Sequence, residues 1–221
     1  MIEQISALHS YWNQIVLNMD VKELLALVKV IIISYLIGSI PTGFIIVKLL
    51  KGEDIRQIGS GSTGATNVKR VLGNKWFFTV MILDALKGAA PVVWATYNVY
   101  AFYDWGLSPV LAALFVLIGH SKSIFLKFTG GKSVASGVGT VLALCWPVGL
   151  IVAAIWGVVT YFSKYVSLGS IVALTISPLL MIWFNQPILY VSYCAVGAAY
   201  VIYLHRENIK RLLEGKENKV R

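Results

Sequence analysis

The sequence predicts an all-α integral membrane protein, and three observations carry that prediction. Hydrophobic side chains make up 57% of the 221 residues and charged ones only 13%, against roughly 45–50% and 25% in soluble domains. Apolar runs at 24–47, 76–99 and 187–204 reach or approach the roughly 20 residues a helix needs to cross about 30 Å of hydrocarbon. Lys and Arg crowd into one set of connections between such runs and avoid the other set. An ordinary water-soluble domain is excluded, and any chemistry must take place in or beside the bilayer.

The first 23 residues carry Glu3, Asp20 and Glu23 against Lys22. They lack the basic start and small-residue cleavage site of a signal peptide. Leu8, Tyr11, Trp12, Ile15, Val16 and Met19 recur at helical spacing, so residues 1–23 are expected to form an amphipathic extension on the membrane surface. The transmembrane region, 24–204, holds apolar stretches at 24–47, 76–99, 105–118, 133–162, 168–184 and 187–204. The fourth would be about 45 Å long as one helix, too long for an upright span. Trp146-Pro147 near its middle suggests a break, because proline lacks an N–H and crowds the preceding turn.

Splitting it gives seven spans, N-out and C-in. The inside segments are then 48–75, 119–133, 163–167 and the tail 205–221, which together hold sixteen of the 19 basic residues. The outside connections around Asp104, Trp146-Pro147 and Asn185-Gln186 hold none, as the positive-inside rule requires. Six crossings would strand the basic tail outside. The third and fourth spans are short enough to be tilted or partly re-entrant. The net charge of +9 therefore reflects orientation in a membrane, with no call for nucleic acid as a partner. Cys145 and Cys194 lie in apolar surroundings without a CxxC or His/Cys cluster; they read as packing residues, and no metal site is expected.

The inside segments also gather the glycine and polar residues. Gly59-Ser60-Gly61-Ser62-Thr63-Gly64-Ala65-Thr66-Asn67-Val68-Lys69-Arg70 places glycines, hydroxyls and an amide ahead of two cations. Such a stretch can turn backbone N–H groups toward an anion. Thr129-Gly130-Gly131-Lys132-Ser133 then enters an apolar run, and a helix N-terminus suits phosphate. A nucleotide-hydrolysing P-loop is not the reading, because GxxxxGK[ST] needs Gly where Leu126 stands. Ser167 to Ser170 and His205-Arg206-Glu207-Asn208 share the same side; each could be a helix cap or an interfacial anchor, and together they could serve one polar site. Within the spans, Asp84 and Lys87 are three apart on one helical face, which suits a structural ion pair at least as well as catalysis. Lys29 can snorkel, and His120 could cap its helix or join the site.

Read in order, Gly38-Ser39-Ile40-Pro41-Thr42-Gly43, Gly59-Ser60-Gly61 through Gly64-Ala65-Thr66-Asn67-Val68-Lys69-Arg70, Leu83-Asp84-Ala85-Leu86-Lys87-Gly88, Gly119-His120, Phe128-Thr129-Gly130-Gly131-Lys132, Ser167-Leu168-Gly169-Ser170 and His205-Arg206-Glu207-Asn208-Ile209 resemble the motifs of the bacterial acyl-phosphate:glycerol-3-phosphate acyltransferase family. The resemblance spans roughly residues 30 to 215. It departs from the family pattern at Ser62, where Asn is usual, at Ser123, where Pro is usual, and at Ser133 and Ser136 in the run that is usually GKGVAT.

The resemblance implies a seven-helix enzyme of the bacterial inner membrane with a cytoplasm-facing site. It would transfer a fatty acyl group from acyl phosphate to the 1-hydroxyl of sn-glycerol 3-phosphate. Its implied catalytic residues are Ser60, Thr66, Asn67, Arg70, Lys132, Ser170, His205 and Asn208; Gly59, Gly61, Gly130, Gly131 and His120 are expected, from the loops themselves, to bind substrate. No cofactor is implied. The implied partners are the two substrates, membrane lipids and the soluble enzyme that makes acyl phosphate. An acyl phosphate already has a good leaving group, so positioning and oxyanion stabilisation matter more than a covalent nucleophile. The HxxxxD pair of thioester-using acyltransferases is absent, since Gln14, Phe125 and Lys210 stand five positions after the three histidines. The alternative reading is a small membrane transporter of an anionic metabolite, disfavoured because the polar residues gather at the inner span ends and no inverted repeat is evident.

Overall fold

The computed structural model describes residues 21–98 and 106–220. The expected surface helix before residue 21 and the connection around Asp104 lie outside the described residues. Among those described there is no strand beyond one isolated bridge between Ser123 and Thr129. Helix α1 (Val21–Ser39) stops at Ile40-Pro41 and α2 (Thr42–Lys51) resumes at once. Proline cannot donate to the preceding turn, so the first apolar stretch is an interrupted helix. Gly52, at φ 73, closes α2 by returning its N–H to the Lys48 carbonyl. A single 3₁₀ turn at Ile55–Gln57 leads through the glycine-rich loop to α3 (Ala65–Leu72), and α4 (Asn74–Asn98) follows.

Two short apolar helices come next, α5 (Leu107–Ser121) and α6 (Val134–Leu144). At 1.5 Å per residue they are only about 22 and 16 Å long. The break foreseen near Trp146-Pro147 falls at Cys145, and α7 (Trp146–Ser163) begins immediately. Pro147 sits in the first turn of α7, where its missing N–H costs nothing. Then come α8 (Val166–Trp183), α9 (Ile188–Leu204) and α10 (Arg206–Leu213), the last two bent by 62° at His205. Among the described residues four segments are long and apolar enough to cross a membrane, 21–51, 74–98, 146–163 and 166–183, or five if the bent pair counts as one.

Close backbone contact holds the short helices in place. A Cβ on Gly38 of α1 would stand 2.5 Å from the Val116 carbonyl oxygen of α5, and one on Gly119 2.3 Å from that of Tyr35. The same device joins α4 to α6, where a Cβ on Gly88 or Gly139 would stand 2.3 Å from Ser136 O or 2.0 Å from Ala85 O. Small residues bring helices together where lipid supplies no hydrophobic drive. Around these crossings Val30, Val92, Ala112, Ala113, Val148 and Val152 are fully buried, whereas Leu86, Phe162, Leu179 and Trp183 are exposed on the outside. Cys145 and Cys194 are free thiols within the core. A second, smaller core of Val47, Ile55, Val68 and Val80 ties α2, α3 and α4 together beneath the glycine-rich loop.

Candidate active site

The glycine-rich loop is built around Asn67, which is 1% exposed. Its Nδ2 donates to the carbonyls of Ile58 (2.8 Å), Ser62 (3.0 Å) and Ile55 (3.3 Å), and its Oδ1 accepts from the Ser60 N–H at 3.2 Å. Asn67 therefore holds the loop in shape with every hydrogen-bonding atom it has. Gly59 and Gly61 adopt φ of 59° and 69°, and a Cβ on Gly59 would collide with Asn67 Oδ1 at 2.4 Å. Ser62, where the family usually has Asn, accepts from the Gly64 N–H at 3.3 Å and so still shapes the turn. Ser60 and Arg70 are exposed and Thr66 is half-buried. Thr66 and Arg70 stand four apart on α3 and share a face.

The second loop packs on His120. The Gly131 N–H donates to the His120 carbonyl at 3.1 Å. A Cβ on Gly130 would stand 2.2 Å from that oxygen, and one on Gly131 2.1 Å from the ring Nε2. These two glycines are thus explained by close approach to His120. The loop delivers Lys132, half-buried, whose ammonium donates to Asn208 Oδ1 across 76 residues of sequence. Ser133 anchors the start of α6 through its Oγ to the Leu117 carbonyl, 2.8 Å.

The bend between α9 and α10 presents His205 and Asn208, both buried. His205 Nδ1 lies 2.8 Å from the Val201 carbonyl, so this nitrogen carries the proton and Nε2 keeps its lone pair. Burial, with Lys132 nearby, pushes the imidazole down to about 4, and it is neutral at pH 7. Burial likewise pushes Lys132 down to about 8, reinforced by Arg211, Arg70 and Arg206 and opposed by Glu217. The same fields place cations from three segments, Lys132 of the loop, Arg70 of α3 and Arg206 and Arg211 of α10, within electrostatic reach of one another.

Ser170 is buried on α8, its Oγ donating to the Val166 carbonyl at 2.8 Å. The neighbouring Ser167 donates to Glu217 Oε1 at 2.9 Å, Asn208 Nδ2 donates to the same oxygen at 2.6 Å, and Arg211 Nε donates to Oε2 at 2.7 Å. Ser167 opens a motif that the sequence marks, whereas nothing in the sequence marks Arg211 or Glu217. Nothing in a tail of mixed charges distinguishes the one acid that turns inward.

Asp84 and Lys87 form an ion pair at 2.8 Å within the helices, both buried. Thr42 Oγ1 donates to Asp84, and Lys87 Nζ donates at 2.7 Å to the carbonyl of Ile40 at the α1–α2 break. His120 joins this network: its Nδ1 is 3.1 Å from Ser136 Oγ and 3.8 Å from Asp84 Oδ1. No group of three or more His, Cys, Asp or Glu suited to a metal ion occurs among the described residues. The site offers clustered cations, amide and hydroxyl groups, and a neutral imidazole, which suits binding of phosphate groups.

Known proteins share this architecture. A solved structure of PlsY (YgiH), an integral membrane glycerol 3-phosphate acyltransferase in its glycerol 3-phosphate form, superposes with a TM-score of 0.83 at 38% identity, covering 88% of this chain and 96% of that one. Its lysophosphatidic acid form gives 0.80 at 36% identity, covering 88% and 95%. The glycerol-3-phosphate acyltransferase of Trichormus variabilis is 44% identical over 206 residues, 86% of this chain and 90% of its own length. Glycerol-3-phosphate acyltransferase 2 of Moorella thermoacetica is 46% identical over 191 residues, 86% and 95% respectively. The protein is a multi-pass helical membrane protein. With residues 28–215 matching the family model described as glycerol-3-phosphate acyltransferase, the chain belongs to that family.

Proposed function

We propose that the protein transfers a fatty acyl group from acyl phosphate to the 1-hydroxyl of sn-glycerol 3-phosphate, giving lysophosphatidic acid and inorganic phosphate. The observation that carries this reading is the contact of Lys132 with Asn208, set among Arg70, Arg206 and Arg211. It supports a seat for a dianionic phosphate beside the buried His205. Similarity to PlsY structures in glycerol 3-phosphate and lysophosphatidic acid forms supports the same substrate and product. Arg70, Lys132, Ser170, His205 and Asn208 would surround glycerol phosphate. Ser60, Thr66 and the backbone of Gly59 and Gly61, held by Asn67, would face the acyl phosphate.

In the reaction the glycerol oxygen bonds to the acyl carbonyl carbon, negative charge gathers on the carbonyl oxygen, and the acyl carbon–oxygen bond to phosphate breaks. Fixed N–H and cationic donors stabilise that charge, and the leaving phosphate needs no covalent intermediate. The hydroxyl proton requires an acceptor. With His205 depressed to about 4, a phosphate monoester whose second pKa is about 6 is the stronger base. The substrate's own phosphate is therefore the proposed acceptor, with His205 Nε2 positioning the hydroxyl.

Seven crossings, N-out and C-in, would make 24–204 the catalytic membrane domain, 1–23 an extension and 205–221 a basic tail. The short α5 and α6 would cross as tilted or partly re-entrant spans. The charge distribution supports a bacterial inner-membrane location with the site facing the cytoplasm, where a soluble enzyme would supply the acyl phosphate. Purified protein given acyl phosphate and glycerol 3-phosphate, without metal or nucleotide, should form lysophosphatidic acid, and acyl-CoA should not replace the donor. Comparable product from acyl-CoA would overturn the donor assignment. Uptake of labelled glycerol 3-phosphate into vesicles without acylation would overturn the whole reading in favour of transport.

A further inference from the structure

The proposed reaction joins two anionic substrates whose seats lie on separate loops, 59–67 and 122–133. An oxygen must be brought to about 3–3.5 Å from a carbon, and a misplacement of about 1 Å can cost about a hundredfold in rate. Whatever fixes one loop against the other therefore bears on turnover. At the surface the loops meet through Arg56, which donates to the Leu126 carbonyl at a long 3.5 Å. A stiffer connection runs beneath them, through the buried ion pair of α4.

On the side of the first loop, a Cβ on Gly43 would collide with the Thr63 carbonyl oxygen, so the first turn of α2 lies flat against that loop. Thr42, the residue before it, donates its hydroxyl to Asp84 Oδ1. Asp84 is buried, and Lys87 binds the same oxygen at 2.8 Å while holding the Ile40 carbonyl at 2.7 Å. His120 is the next neighbour of that oxygen, its Nδ1 3.8 Å away. His120 in turn brackets Lys132. Its carbonyl accepts from the Gly131 N–H at 3.1 Å, and its Nδ1 meets Ser136 Oγ, one helical turn beyond Lys132, at 3.1 Å. The start of the second loop is tied to the α1–α2 break as well, where Ser123 Oγ donates to the Ser39 carbonyl at 2.6 Å. A buried polar network whose members are satisfied in this way is rigid.

We propose that Thr42, Asp84 and His120 form a strut within the bundle that sets the spacing of the two glycine-rich loops and so aligns the glycerol hydroxyl with the acyl carbon. The inference rests on the acyltransferase reading, which puts acyl phosphate at the first loop and glycerol 3-phosphate at the second. Thr42 and His120 are positioning residues: Thr42 acts through the first turn of α2, and His120 acts by holding Gly131 and Lys132 in place. Asp84 is the fixed centre, and its loss costs the fold itself, so the test is made at the two ends.

That test is the kinetics of both substrates in single and paired variants. Thr42→Val keeps the size of the side chain and removes its hydroxyl, so kcat should fall about ten- to hundredfold while KM for either substrate barely moves. Thr42→Ser restores the donor and should restore kcat. His120→Asn should lower kcat to a similar degree and raise KM for glycerol 3-phosphate, because His120 carries Lys132, and leave KM for acyl phosphate in place. With Thr42→Val and His120→Asn combined, kcat should fall little below that of the worse single variant, since residues acting as one unit are not additive. Full kcat in folded Thr42→Val, equal losses in Thr42→Val and Thr42→Ser, or losses that multiply in the pair would each overturn the proposal. Hydrogen exchange supplies a readout that needs no turnover. Thr42→Val should speed exchange of backbone amides across both 59–67 and 128–136, although residue 42 lies in neither, and speeding confined to 38–44 would overturn the strut. If the unaltered protein forms no lysophosphatidic acid, the acyltransferase reading fails, and the exchange pattern still decides whether the two loops share one support.

Discussion

Lys132 is the residue on which the proposed chemistry turns, because it links the second glycine-rich loop to α10 through Asn208. Lys132→Ala and Arg70→Ala should each cut turnover by some tenfold to more than hundredfold, since hydrogen bonds to charged groups are worth about 1.5–3 kcal/mol. Near-normal rates in both would move the site elsewhere. A pH dependence follows from the lowered basicity of Lys132. The ammonium is charged below about 8 and neutral above it, while Arg70 and Arg211 stay charged throughout. Glycerol phosphate is fully dianionic by then, so kcat/KM for it should fall above pH 8 through loss of the protein's own charge. Bound substrate favours the ammonium, which puts the corresponding limb of kcat at higher pH. A kcat/KM flat to pH 10 would deny Lys132 this role. The glycines of the site and the cations Arg70 and Lys132 were legible in the sequence because the loops that carry them stand out in an apolar chain. The direction of the Asn67 amide was not. Family resemblance implies that it is among the catalytic residues; its side chain faces the carbonyls of Ile55, Ile58 and Ser62, an orientation decided only when the loop closes on it.

Helix α4 carries the one ion pair buried among the spans that are described, and that pair fastens two features together. Asp84 takes Thr42 at the start of α2, and Lys87 takes the Ile40 carbonyl left at the break. Removing one charge strands the other in an apolar setting, at a cost of about 3–5 kcal/mol. Asp84→Asn should therefore reduce folded yield and thermal stability in detergent more than the specific activity of whatever folds. Full stability with lost turnover would instead make Asp84 part of the chemistry. Spacing alone announced this pair, because a three-residue offset on a helix fixes a shared face. The interruption at Pro41 was harder to see. Hydropathy runs unbroken through Ile40-Pro41, and the stretch 24–47 reads as one span although two helices share it. The later break was visible at Trp146-Pro147, yet the helix yields at Cys145, and Pro147 starts α7.

At the scale of the whole molecule, span number is where sequence and helix length part. The charge distribution along the sequence leads to the proposed seven crossings, while length and composition credit four or five among the described residues, because α5 and α6 are too short for an upright path. Labelling decides between them. A cysteine introduced near Lys69, Lys127 or Lys216 should be shielded from an impermeant thiol reagent in intact cells, and one near Asp104 should react. Labelling of the tail in intact cells would sink the seven-span arrangement.

The crossings at Gly38, Gly88, Gly119 and Gly139 divide the chain by how much inherited variation it can absorb. At these four positions even one methyl group would overlap a neighbouring backbone, and main chain cannot move aside as a side-chain tip can. The faces bearing Leu86, Leu179 and Trp183 are largely exposed, so exchange of one bulky apolar residue for another costs little there. Lineages descended from this protein are free to rewrite their lipid-facing surface while the short helices keep their crossing points, and the smallest side chains become the least replaceable letters in the text.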